Sequence, residues 1–107
     1  MALHLTDNEG WRLHIDSWPE LTAIGASGAS GDRPGGFYTQ DDYRELVRYA
    51  AERFVTIVPE IDLPGHCAAV FAAYPTLSAS QAPPAAPEVI PIVSMDPDVP
   101  ATMGFVR

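Results

Sequence analysis

The tightest constraint on this chain is the joint at residues 39–58, where an amphipathic helix gives way to an apolar, β-branched run with almost no chain between them. Thr39 suits an N-cap, and Asp42 three residues later completes a weaker form of the capping box. Asp41 and Asp42 occupy the first turn, where the helix dipole favours negative charge. Tyr43, Leu46, Val47, Ala50 and Ala51 fall at i, i+3, i+4, i+7 and i+8, one apolar stripe that reads as core, and Arg44, Glu45, Arg48 and Glu52 take the other face. The spacing predicts a helix over residues 40–53. Phe54-Val55-Thr56-Ile57-Val58 then predicts a strand covered on both faces. A helix running directly into such a strand is the α-to-β half of a βαβ unit. Residues 2–6, Ala-Leu-His-Leu-Thr, supply the other strand. Two parallel strands and one crossover helix leave open edges on both sides. The expected fold class is therefore α/β, as a slice of a larger structure with a barrel as the expected architecture.

The rest of the chain divides around this unit. Asp7-Asn8-Glu9-Gly10 breaks the first strand, Trp11 to Ile15 alternate with period two, and Ser17 to Leu21 read as a turn into a one-turn helix. Residues 25–36, rich in glycine, have the composition of a surface loop. Residues 67–74 are helix-compatible and stop at Pro75. Six of the eleven prolines lie between residues 83 and 100, so residues 78–107 read as a long loop with few packing contacts and the start of a helix near Thr102. The expected organisation is one folded segment over residues 1–77 followed by that tail.

Composition removes several classes of function. A net charge of −8, with only six basic residues and no basic cluster, disfavours nucleic acid and anionic membranes and suits a neutral ligand such as a sugar. One cysteine, Cys67, excludes an internal disulfide and a thiolate zinc site, and its Ala/Val surroundings read as a small buried hydrophobe. No apolar run is long enough to span a membrane, and the N-terminus lacks the pattern of a signal peptide. The compartment stays open among secreted, periplasmic and lysosomal locations.

In parallel α/β folds, functional side chains gather at the C-terminal ends of strands. The first strand end offers His4, Asp7 and Glu9, and the second offers Glu60, Asp62 and His66. With both ends facing the same way, Asp7 and His66 are expected to approach each other. Each residue also has a plainer reading. Asp7 suits a turn, Glu60 and Asp62 suit structural ion pairs, His66 suits a helix cap, His14 a solvated strand position, and Trp11 and Trp18 the core. A metal site from His4, Asp7 and His66 lacks any compact ligand spacing. No nucleophile elbow or phosphate loop is present, and the glycine-rich loop lacks strand–helix context.

Three stretches together resemble family 20 β-N-acetylhexosaminidases. They are His4-Leu5-Thr6-Asp7-Asn8-Glu9-Gly10-Trp11-Arg12, Gly35-Gly36-Phe37-Tyr38-Thr39-Gln40, and Val58-Pro59-Glu60-Ile61-Asp62-Leu63-Pro64-Gly65-His66. Trp18-Pro19-Glu20-Leu21 and Ala72-Ala73-Tyr74-Pro75 add to the likeness, which covers residues 3–77. The resemblance implies a partial (β/α)8 TIM barrel, about strands 2–3 with their helices. It implies an amino-sugar oligosaccharide or glycoconjugate as partner, hydrolysed at terminal β-linked N-acetylglucosamine or N-acetylgalactosamine. The family's reaction is substrate-assisted: the acetamido oxygen attacks the anomeric carbon while a Glu protonates the leaving oxygen, with retention and without metal or organic cofactor.

Position by position, Asp7 and His66 match a supporting catalytic dyad. His4 and Trp11 match positions lining or bracing the site, and Glu60 and Asp62 match strand-end residues. The family's Gly-Gly-Asp-Glu segment, source of the acid and the orienting Asp, is not among these 107 residues. The chain is accordingly expected to need the rest of the barrel and to be inactive alone. Two alternatives stay open: a non-catalytic remnant or carbohydrate-binding protein, and an unrelated barrel hydrolase sharing strand-end acids.

Overall fold

A computed structural model describes residues 1–28, 34–77, 95, 98 and 100–106. Strand β1 (Ala2–His4) pairs in parallel with β4 (Val58–Glu60), with Ala2 opposite Val58 and His4 opposite Glu60. A second ladder joins β2 (Thr6–Asp7) to β3 (Gly10–Trp11) as a tight antiparallel pair. Helices α1 (Glu20–Ala23), α2 (Gln40–Ala51), α3 (Ala68–Ala73) and α4 (Pro100–Val106) complete the α/β arrangement, with a 3₁₀ turn at Pro75–Leu77. Among the described residues no helix is long and apolar enough to cross a membrane.

Helix α2 begins where the sequence places it. Thr39 Oγ1 accepts from the Asp42 amide at 3.1 Å and Asp42 Oδ2 accepts from the Thr39 amide at 2.9 Å, a reciprocal capping box. Its end corrects the expected strand over residues 54–58. Phe54 takes φ 60°, and the amides of Phe54 and Val55 donate back to the Ala51 and Ala50 carbonyls at 3.0 and 2.9 Å. That pattern is a helix-terminating Schellman turn with a left-handed residue at its corner. Two residues are thus spent stopping the helix, and pairing starts four residues later than the β-branched run suggests. Val58 N donates to Met1 O and Leu5 N to Glu60 O, which turns the nitrogen of Pro59 away from β1. The missing proline N–H therefore costs this ladder nothing.

The α2 stripe is also less covered than expected. Ala50 alone is buried on this helix, Tyr43 and Leu46 are half-buried, and Val47 is exposed. The main core lies elsewhere, because two three-residue strands offer too little apolar face to hold a helix. Trp11, Leu21, Cys67, Val70, Ala73, Leu77 and Met95 form it, flanked by Ile15, Trp18, Phe71, Tyr74 and Phe105. Trp18 meets Tyr74 edge-on at 4.9 Å and Phe105 at 5.0 Å, which ties α1, α3 and α4 together. Met95 and Phe105 of the tail pack into this core, while residues 78–94, 96–97, 99 and 107, most of the expected loop, lie outside the described residues.

Arg12 pins the glycine-rich loop to this core. Its guanidinium donates to the carbonyls of Glu9, Ala26, Gly28 and Gly36 at 2.5–3.2 Å. Gly10 is what lets it lie there: a Cβ at that position would stand 2.4 Å from Arg12 Cζ. Arg12→Ala removes a hydrogen bond to the carbonyl of buried Ala26 and three to exposed carbonyls that water can replace, and is expected to lower stability by about 1.5–3 kcal/mol, the contribution of one hydrogen bond to a charged group. Urea denaturation with an unchanged slope and a lowered midpoint is the expected result.

Candidate active site

The ends of β1 and β4 are brought together by the parallel register, which sets His4 opposite Glu60. Chain continuation past both strands then interlocks. The Asp62 amide donates to Thr6 Oγ1 at 2.8 Å, and His4 Nε2 lies 3.0 Å from Asp62 Oδ2. Just beyond, Asp7 Oδ1 stands 3.2 Å from His66 Nδ1. Two His–carboxylate pairs, His4–Asp62 and Asp7–His66, therefore sit side by side along one edge of the molecule. Each takes one member from each strand end.

Asp7 is well prepared to stay ionised. Its carboxyl is held below the ordinary 3.8, chiefly because the Asn8 backbone N–H donates to Oδ1 at 2.7 Å, with His66 adding to the effect. His4 is shifted the other way, above the ordinary 6.5, chiefly through its hydrogen bond to Asp62. The His4–Asp62 attraction is thus fully present below pH 6.5 and fades as pH rises through the raised value. Both pairs are partly open to solvent, so their contribution to stability is small.

His66 itself has φ 55°, in the left-handed region that few residues other than glycine adopt. It does not cap α3: Cys67 holds the cap position, and the Ala68 amide donates to Asn8 Oδ1 at 3.2 Å. Asn8 is a further residue of this turn that contacts both sides, Asp7 and the start of α3, and the sequence does not single it out. Its signal was its place beside Asp7 in a turn, which spacing alone does not distinguish from an ordinary turn residue.

Trp11 does not line the cleft. Its indole is 4% exposed, its Nε1 donates to the Leu13 carbonyl at 2.6 Å, and it packs within the core beneath the site. His14 is not a free strand residue either, since Nδ1 meets Thr22 Oγ1 at 2.9 Å. His4, Asp7, Glu9 and Arg12 border a shallow, open cleft of about 240 Å³. Among the described residues, the His/Asp/Glu group whose donor atoms lie within 4.8 Å of one another is His4, Glu60 and Asp62, and not His4, Asp7 and His66.

Cys67 lies at the floor of the His66 turn with its thiol near the Gly65 and Pro64 carbonyls at 3.0 and 3.2 Å. It is 1% exposed, and burial pushes its pKa up to about 11. Alkylation by iodoacetamide at pH 7.5 is expected to be slower than for free cysteine by at least about 100-fold, the thiolate fraction alone accounting for that factor. Mass spectrometry of the folded protein against a urea-unfolded control checks it.

Comparison with known proteins places this arrangement among glycoside hydrolases. Residues 1–106 match the model of the family described as glycosyl hydrolase family 20, catalytic domain. A β-hexosaminidase of Porphyromonas gingivalis is 47% identical over 77 residues, covering 70% of this chain and 10% of the relative. A β-N-acetylhexosaminidase of Cellulomonas fimi is 42% identical over 109 residues, covering 100% of this chain and 22% of the relative. Among solved structures, the Streptomyces plicatus N-acetyl-β-hexosaminidase in complex with Thio-NAglucal superposes with a TM-score of 0.86 at 44% identity, over 98% of this chain and 21% of that one. The chain spans about a fifth or less of the length of these relatives.

Proposed function

This chain belongs to glycosyl hydrolase family 20, and from that premise we propose that it forms one part of an enzyme that removes terminal, non-reducing β-linked N-acetylglucosamine or N-acetylgalactosamine from oligosaccharides or glycoconjugates. The observation that carries the proposal is the pairing of Asp7 with His66 across two parallel strand ends, in a chain that superposes on a solved family member over nearly its whole length.

In this reading β1 and β4 are the second and third strands of a (β/α)8 barrel. The parallel ladder between them, the helix that connects them and the collection of His and carboxylate groups at their C-terminal ends all support it. The proposed reaction is substrate-assisted. The acetamido oxygen of the substrate forms a bond to the anomeric carbon as the glycosidic bond breaks, and a Glu outside these residues gives its proton to the departing oxygen. Water then opens the cyclic intermediate, with overall retention.

Asp7 and His66 act one step behind that Glu. An ionised Asp7 accepting from His66 Nδ1 fixes the imidazole's tautomer and leaves Nε2 to face the proton donor. Glu60, Asp62 and His4 brace the strand ends, and Trp11 supports the floor from the core. The chain contains no Gly-Gly-Asp-Glu segment, so the proton donor must come from elsewhere in the enzyme.

The test replaces the matching segment of the Cellulomonas fimi β-N-acetylhexosaminidase with residues 1–107 and measures hydrolysis of p-nitrophenyl N-acetyl-β-D-glucosaminide. A folded chimera that does not hydrolyse this substrate refutes the proposal.

A further inference from the structure

Asn8 touches the supports of both members of the Asp7–His66 pair. Its backbone N–H donates to Asp7 Oδ1 at 2.7 Å, and its side-chain oxygen accepts from the Ala68 amide at 3.2 Å. Ala68 is the first residue of α3 and lies two positions beyond His66. The first amides of a helix have no partner within it, and Cys67 at the cap position offers no side-chain acceptor here. The acceptor comes instead from a residue 60 positions earlier in the chain.

His66 needs such an anchor. Its left-handed backbone, φ 55°, is a conformation that surrounding contacts must hold in place. On one side the chain arrives through Pro64 and Gly65; on the other it enters α3 at the residue Asn8 holds. One side chain thereby ties the turn after β2 to the start of α3, across the same gap that Asp7 and His66 span at 3.2 Å.

We propose that Asn8 is a positioning residue for the Asp7–His66 pair, its side-chain oxygen setting the place of the His66 imidazole by anchoring the first turn of α3. The inference rests on the reading of that pair as the support of the general acid. Asn8 reaches no substrate atom in this role and acts only through its neighbours. A purely structural cap would lower stability and leave the folded enzyme's turnover unchanged.

The experiment uses the Cellulomonas fimi chimera carrying Asn8→Ala, Asn8→Asp, Asn8→Ser, Asp7→Asn or His66→Ala, with rates normalised to the folded fraction measured by circular dichroism. Asn8→Ala is expected to lower kcat about tenfold with KM within about twofold, less than the ~100-fold that a misplacement of 1 Å can cost. Asn8→Asp keeps an acceptor oxygen facing Ala68 and is expected to recover kcat to within about threefold of the parent. Asn8→Ser is too short to reach that amide; it is expected to match the alanine variant and replaces it if that variant does not fold. Unchanged kcat per folded molecule in Asn8→Ala and Asn8→Ser, or equal losses in Asn8→Ala and Asn8→Asp, overturns the inference. If Asp7→Asn and His66→Ala also leave kcat intact, the pair is not catalytic support and both readings fall. If those two lower kcat while the Asn8 variants do not, the inference about Asn8 alone fails.

Discussion

Assayed alone, the 107-residue chain is expected to release no p-nitrophenol from p-nitrophenyl N-acetyl-β-D-glucosaminide above the buffer blank, while the chimera in which it replaces the homologous segment of the Cellulomonas fimi enzyme turns the substrate over. The gap should exceed about 10⁴-fold, the upper value commonly contributed by general acid–base catalysis on its own. The reason is chemical. Departure of a sugar alkoxide needs a carboxylic acid within hydrogen-bond reach; p-nitrophenolate, a weaker base, needs that acid less, but the acetamido oxygen still needs a partner that orients it for attack. Asp7 is held ionised and His66 is engaged with it, so neither is a free acid aimed into a sugar site. Glu60 and Asp62 stand against His4, with Asp62 already spent on the imidazole. The cleft bordered by His4, Asp7 and Glu9 is open to solvent and about 240 Å³, below the roughly 300–1,000 Å³ usual for a ligand pocket. Turnover by the isolated chain, sensitive to Asp7→Asn, would show that the residues at hand do supply a proton donor and would overturn the reading of this pair as support.

The parts of this structure that are legible in the sequence are those set by local chemistry. The capping box at Thr39 and Asp42, the one-turn helix after Pro19 and the halt of α3 before Pro75 each depend on residues within a few positions of one another. The Asp7–His66 approach was legible for a different reason: parallel strands put their C-terminal ends on the same side, so residues just past both ends must meet. What local pattern misjudged is where the apolar surface goes. Phe54 looks like the first residue of a strand, yet it is fully exposed and occupies the left-handed corner that ends α2. The Tyr43-to-Ala51 stripe looks like core, yet only Ala50 is buried, because the core forms around Trp11, Leu21 and Val70 from segments far apart in the chain. Trp11 shows the same limit at the site. A tryptophan beside a catalytic-looking turn reads more readily as core than as sugar platform, and its packing with Leu21, Val70 and Phe105 places it in the core. Asn8 is not legible in the sequence because its partner is Ala68, whose amide no side-chain pattern advertises.

In the chimera, Asp7→Asn is expected to lower kcat on the order of 10²-fold, the lower end of what general acid catalysis contributes, with KM changed by less than about threefold. An asparagine keeps the shape and can still accept from the Asn8 amide, but it carries no charge to hold a proton on His66 Nδ1. The imidazole is then free to take the other tautomer or to turn, and the proton donor behind which it stands loses its fixed neighbour. His66→Ala removes the same support from the other end and is expected to fall by a similar factor. Because the two side chains act as one unit, the double variant should fall no further than the worse single variant. Independent roles would instead multiply the two losses to about 10⁴-fold. The sign of the pH effect follows from Asp7's folded carboxyl lying below its ordinary 3.8. Its support is complete above that value and is lost only as pH falls through the lowered one. Titration of Asp7 itself should therefore place no limb in the activity profile between pH 5 and 8. A fully multiplicative double variant would mean that Asp7 and His66 act independently and that Asp7 does not merely hold His66 in place.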